Sequence, residues 1–207
     1  MTALLLVVLG CGSPRAPSSD VPGEPDVARA EGLTVEGPGW ALAAASADLA
    51  AGVARAAEPA LRVEGAGGTP ALEVTARATT WDLAAGSATF TGDVRLRRGD
   101  VTLRAERLDV QVALGDSIQE PSLRGLLAQG AVRVAQGTRT ARAGEATLDP
   151  ATGMLVLRAG ASGERPHLAD GASALEGAVV SVALDDARAT CEGDAGGPCR
   201  LVLARAP

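Results

Sequence analysis

The chain has no Lys, no Asn and no Tyr, and only one Ile, one Phe and one His in 207 residues. All nineteen basic residues are therefore Arg. The missing types share A/T-rich codons, so a GC-rich genome explains the bias, and the excess of Ala and Gly says little about function. A net charge of −6 lacks the basic footprint that a phosphate backbone demands, which excludes nucleic acid as the main partner. Catalytic signatures are missing too. There is no Gly-x-Ser-x-Gly, no His-Glu-x-x-His and no phosphate loop. The lone His167 follows Pro166 in an expected loop. Asp185 and Asp186 are adjacent, so on a strand they would face opposite ways, and turn chemistry is the simpler role. The chain reads as non-enzymatic, with no cofactor and no metal.

No apolar run reaches the roughly 20 residues of a helical membrane span. The short run Ala3 to Leu9 has the length of a signal-peptide core. It leads into Val8-Leu9-Gly10-Cys11, which resembles the bacterial lipobox, although no Lys or Arg precedes it. Residues 1–10 are thus expected to be a signal peptide and Cys11 a lipidation site. Residues 11–31, rich in Pro, Ser, Gly and acidic groups, read as a flexible tether. Such a tether reaches about 25 Å as a coil or about 60 Å as polyproline II. It would hold a folded domain, residues 32–206, off the membrane.

What is present in that domain is period-two alternation. From Thr89 to Leu114, Val94 and Leu96 alternate with Arg95 and Arg97. Val101, Leu103 and Ala105 alternate with Thr102 and Arg104. Leu108, Val110, Val112 and Leu114 alternate with polar residues. Successive strand side chains face opposite ways, so each run predicts a strand with one apolar and one wet face. Leu33 to Gly37 suggests a first strand. Trp40 to Ala57 is Ala-rich and fits helix by propensity, but Gly39 and Gly52 bracket a strand-turn-strand, which is preferred. Runs starting at Gly92, Gly130 and Gly163 recur at a solenoid-scale spacing, as units that share one interior.

Three stretches carry a family resemblance: Ala88-Thr-Phe-Thr-Gly-Asp-Val-Arg-Leu with Val101-Thr-Leu-Arg-Ala-Glu-Arg-Leu-Asp-Val; Ala143 to Leu157; and Leu175 to Asp186 with the closing Cys199-Arg-Leu-Val-Leu. In order and spacing they resemble the OstA-type lipopolysaccharide-transport bridge proteins, LptA and LptC, over residues 88–203. The resemblance implies an all-β fold, a V-shaped, slightly twisted β-jellyroll of antiparallel strands. It implies a periplasmic carrier whose apolar cleft holds the acyl chains of lipopolysaccharide. Partners would be other jellyroll transport proteins joined edge to edge, edge-to-edge copies of this chain, and an inner-membrane ABC transporter that supplies the energy. The lipid anchor departs from both family members.

The expected cleft lining is Val94, Leu96, Val101, Leu103, Val110, Val112, Val132, Val134, Leu148, Leu155, Leu157, Val180, Val182 and Leu184. Arg95, Arg97, Arg98, Arg104 and Arg107 crowd one meander. They form either a solvated face or, through Arg95, Arg97 and Arg98, a contact for lipid A phosphates at the cleft mouth. Trp40 and Trp81 read as core or turn-packing residues. Cys191 and Cys199 bracket a short Gly-rich loop between two strands. In an oxidising compartment they predict a disulfide across a hairpin, with free thiols or a metal pair as alternatives. A scaffolding envelope lipoprotein with a closed core and no lipid cargo fits the same pattern.

Overall fold

A computed structural model describes residues 27–202, apart from 38, 66–69, 83, 114–121, 151, 172, 185–187 and 196; the side chains at 37, 112, 113, 122 and 162 also lie outside the described set. Signal peptide, Cys11, Leu114, Asp185, Asp186 and the side chain of Val112 therefore fall outside it.

Sixteen antiparallel strands follow in order: β1 Ala28–Gly37, β2 Trp40–Ala50, β3 Val53–Ala57, β4 Ala60–Val63, β5 Leu72–Thr75, β6 Ala78–Asp82, β7 Ser87–Arg98 and β8 Val101–Ala113. They continue as β9 Ser122–Gln136, β10 Arg139–Asp149, β11 Met154–Arg158, β12 His167–Asp170, β13 Ser173–Glu176, β14 Val179–Ala183, β15 Ala189–Glu192 and β16 Arg200–Val202. The Ala-rich stretch is strand, turn, strand, as its flanking glycines suggest. Its small side chains alternate over a buried face, and tertiary packing overrides helix propensity. Strand β1 starts at Ala28, inside the expected tether: Ala28 to Glu31 pair with Leu49 to Ser46.

The long strands are bent, and the bends line up. Register shifts fall between Thr91 and Val94 in β7, between Arg104 and Arg107 in β8, and between Ala143 and Glu145 in β10. In β9 the pairing to β10 skips from Val132 to Gln129. Beyond this line the strand ends find different neighbours. The 94–98 half of β7 pairs β5, and the 87–91 half pairs β6. The 139–142 end of β10 pairs β12, and the 145–149 end pairs β11. Strand β2 does the same, meeting β4 with residues 40–43 and β3 with residues 46–50. One continuous sheet is thus folded over into two, a jellyroll whose corners are bulges.

Two corners explain the recurring glycines. Gly92 and Asp93 have φ of 77° and 48°, and Gly130 and Ala131 have 79° and 46°. A left-handed pair turns the strand sharply, and Gly leads because a Cβ is costly there. The repeats are therefore not stacked solenoid units. The runs at Gly92 and Gly130 belong to β7 and β9, which cross the same corner line of one folded sheet, and the run at Gly163 leads into the short strand β12. Alternation survives the corners: Ala88, Phe90, Val94 and Leu96 are buried in β7, while in β8 the buried set moves from Leu103 and Ala105 to Leu108 and Val110. The two-residue corner of β7 keeps parity and the bulge of β8 resets it, so that the apolar face stays inward on both sides.

Cys191 and Cys199 are bonded, with Cα atoms 6.1 Å apart. Between them Asp194 and Gly197 bond reciprocally in a tight antiparallel turn, but the strands on either side of it part. Strand β15 pairs β14 at the edge of the second sheet, whereas β16 pairs β13 at the edge of the first. The disulfide therefore ties the two sheets together at the C-terminal end of the fold. The closing strand lies on the opposite sheet because β12 and β13 extend the first sheet past the corner. Gly177 lies beneath the bond: a Cβ there would collide with the Cys191 sulfur and lie 3.3 Å from that of Cys199. Replacing both cysteines by Ser is expected to lower stability by about 2–3 kcal/mol. Chemical denaturation of the variant beside the oxidised wild type measures it.

Candidate functional site

The inner faces of both sheets meet in one apolar cluster. Of the expected lining, Val94, Leu96, Leu103, Val132 and Val134 face inward from the first sheet. Val110, Leu148, Leu155, Leu157, Val180 and Val182 face inward from the second. All are at most 7 % exposed. Val101 and Leu184 pack against this cluster from half-buried positions at its rim. The sequence reading left out Phe90, Leu108, Leu126 and Ala128 on the second sheet and Leu42, Leu61, Leu72 and Val74 on the first, all buried. The signal was the same alternation; Phe90 sits between Thr89 and Thr91. Thr79, the buried polar residue, donates its hydroxyl to the Thr89 carbonyl at 3.1 Å. No buried side-chain polar atom among the described residues lacks a partner, so no unmet polar side chain interrupts the apolar lining.

Opposite the corner line, the free ends of the strands form a mouth between the sheets. It is clasped in two places. Trp40 of β2 and Trp81 of β6 lie with ring centroids 6.2 Å apart at a 54° tilt, within the contact range of aromatic pairs. Further along, the Gln136 amide donates to the Leu184 carbonyl at 3.0 Å. Beside that bond a slot of about 20 Å³ opens between Val134, Leu155, Leu168, Val182 and Leu184. This is room for about one water. Elsewhere the buried side chains of the two inner faces pack on one another in that one cluster.

The arginines of the central meander divide by strand parity. Arg98, half-buried, shares the parity of Val94 and Leu96 and ends β7 at the mouth. Arg95 and Arg97 are exposed on the outer face, and Arg95 pairs with Asp93 at 2.9 Å. Arg107 binds Asp109 on the outer face of the second sheet with two bonds of 2.9 and 2.8 Å, and Thr89 donates to the same carboxylate. Burial by itself would raise the Asp109 carboxyl, but the bonds from Arg107 and Thr89 and the guanidinium charge outweigh it and hold the group below the usual carboxylate range. A lowered folded-state value contributes stability above the unfolded value, near 3.9, which is lost as pH falls through the folded value. Asp109→Asn should therefore flatten the acid limb of the stability–pH curve. The cost at neutral pH is at most about 1 kcal/mol, because the pair is mostly solvated. His167 opens strand β12, not a loop, opposite Arg142 and Glu176.

With this geometry in hand, the comparisons are specific. The family described as "LptA/(LptD N-terminal domain) LPS transport protein" matches residues 73–188. No curated protein matches the sequence. Among solved structures, the chain is similar to LptH from Pseudomonas aeruginosa, described as the LptA homologous periplasmic component of the lipopolysaccharide transport device. That likeness has a TM-score of 0.54 at 14% identity and covers 65% of this chain and 95% of LptH.

Proposed function

Given that the chain belongs to the LptA/LptD N-terminal domain family of lipopolysaccharide-transport proteins, we propose that it is a periplasmic carrier holding lipopolysaccharide acyl chains between its two sheets. The observation that carries this reading is the single apolar interior shared by both sheets, with a slot opening into it at the mouth. Each CH₂ moved from water to such a lining gains about 0.8 kcal/mol. No bond is made or broken. The energy comes from a partner, an ABC transporter in the inner membrane. Arg98 at the rim is the best placed of the three candidate arginines to meet a lipid A phosphate.

Docking follows from unpaired edges. Among the described residues, strand β1 pairs only β2, and β15 and β16 each have one neighbour. Leu201 and Val202 in β16 are exposed by 62% and 61%, an apolar edge suited to strand addition by another jellyroll or a second copy. Lipidation at Cys11 would keep the carrier membrane-bound, with the segment between Cys11 and β1 as tether.

A second reading, a scaffold with a closed core, is favoured by one observation: the slot is only about 20 Å³. Native mass spectrometry of the chain incubated with lipopolysaccharide separates the two. The carrier comes off with bound lipid at one-to-one stoichiometry; a scaffold comes off lipid-free.

A further inference from the structure

The outer face of the first sheet carries a feature that does not depend on what the interior holds. The register sets Arg95 opposite Arg104, Arg104 opposite Arg133, Arg133 opposite Arg142, and Arg142 opposite His167. Four guanidinium groups thus cross β7, β8, β9 and β10 side by side, at about 4.8 Å per strand. Like charges directly opposite one another destabilise a sheet. The chain has an excess of acidic residues that could have alternated with them. Only the ends of the row are neutralised: Arg95 pairs with Asp93 at 2.9 Å, and Arg142 with Glu164 at 3.7 Å. Arg104 and Arg133, in the middle, form no ion pair with any described residue.

Past Arg97, which lies opposite Thr102, the neighbouring register row is small and neutral, with Thr102 opposite Ala135, Ala135 opposite Thr140 and Thr140 opposite Ala169. The drop from long to short side chains leaves an open groove of about 640 Å³, lined by Arg104, Arg133, Arg142, Thr102, Thr140 and His167 among others. That volume lies within the range of small-molecule sites, about 300–1,000 Å³.

We propose that this groove is a binding site for a ligand bearing clustered phosphate groups, with Arg104 and Arg133 as its principal contacts. A guanidinium donates two parallel N–H bonds to phosphate oxygens, and two unpaired guanidiniums on adjacent strands match two phosphates, or one phosphate held from both sides. The bound anion also relieves the repulsion along the row, which is what makes the arrangement tolerable. The phosphates belong either to a soluble compound or to a lipid headgroup; the recognising chemistry is the same.

The test uses the full chain at low salt with two probes. One is inositol hexakisphosphate, followed by calorimetry. The other is phosphatidylcholine vesicles with and without phosphatidylglycerol, followed by co-sedimentation. Arg104→Gln/Arg133→Gln should fold at least as stably as wild type, since a repulsion is removed. It should bind the responding probe at least about tenfold more weakly. Arg55→Gln/Arg158→Gln, which removes the same charge from the second sheet, should bind as wild type does. Response to the soluble probe alone identifies a free phosphate compound, and response to phosphatidylglycerol vesicles identifies a headgroup. Binding of neither probe, or equal weakening in both double variants, overturns the proposal. Such a failure leaves the interior's role standing, because the groove and the interior lie on opposite faces of the sheet.

Discussion

Phe90→Ala is expected to cost about 3–5 kcal/mol. The ring is fully buried in the half of β7 that belongs to the second sheet, two residues before the Gly92 corner. It pairs across β7–β8 with Leu108, itself fully buried, and across β6–β7 with Thr79. Truncation removes the one phenylalanine of the chain and leaves a cavity that the bulged corner cannot collapse to fill. For a domain of this size the melting temperature should fall by about 6–20 °C. The denaturant slope should stay unchanged, because the surface exposed on unfolding is nearly the same. A loss under about 1 kcal/mol would mean that the ring faces open space, not packed hydrocarbon.

The second large effect concerns the corners. Gly130→Val should destabilise by about 1–3 kcal/mol from backbone strain alone, since φ of 79° is left-handed and Val tolerates it badly. Steric conflict adds to this: a Cβ at 130 would lie 2.8 Å from the Cβ of Glu106 on β8. Neither side chain is free to move far, because both sit on the line where the sheet folds. Gly125→Val, in the same strand, is the control. Nothing stands within 4 Å of its Cβ position, and its φ is not left-handed. Thermal melts of the two variants should differ sharply. Equal melts would mean that the corner is not a fixed element of the fold.

Much of this architecture was legible in the residues themselves. Alternation located the strands and most of the inward face, since a half-buried sheet leaves its period in the sequence. What it could not give was connectivity. The run read from Val94 and Leu96 is only the second half of a strand that starts at Ser87 and bends at Gly92 and Asp93. Alternation is blind to which sheet a half-strand joins. The same blindness hid where the strands beside the disulfide go: the Cys191 and Cys199 segments both read as strands around a tight turn, but their pairing with β14 and β13 is set by distant residues. Arg95 and Arg97 could be assigned outward by parity alone. The arginine row could not be found that way, because Arg95, Arg104, Arg133 and Arg142 meet only through registers fixed by three separate strand pairs.

That fatty chains lie between the sheets is tested most directly by neighbouring residues of opposite parity. A photoreactive amino acid placed at Val182 or Leu155 points into the interior near the mouth; at Ser181 or Val156 it points away. Irradiated with lipopolysaccharide, the full chain should crosslink strongly from 182 and 155 and little from 181 and 156. Equal capture from both faces, or none from 182 and 155, would contradict it.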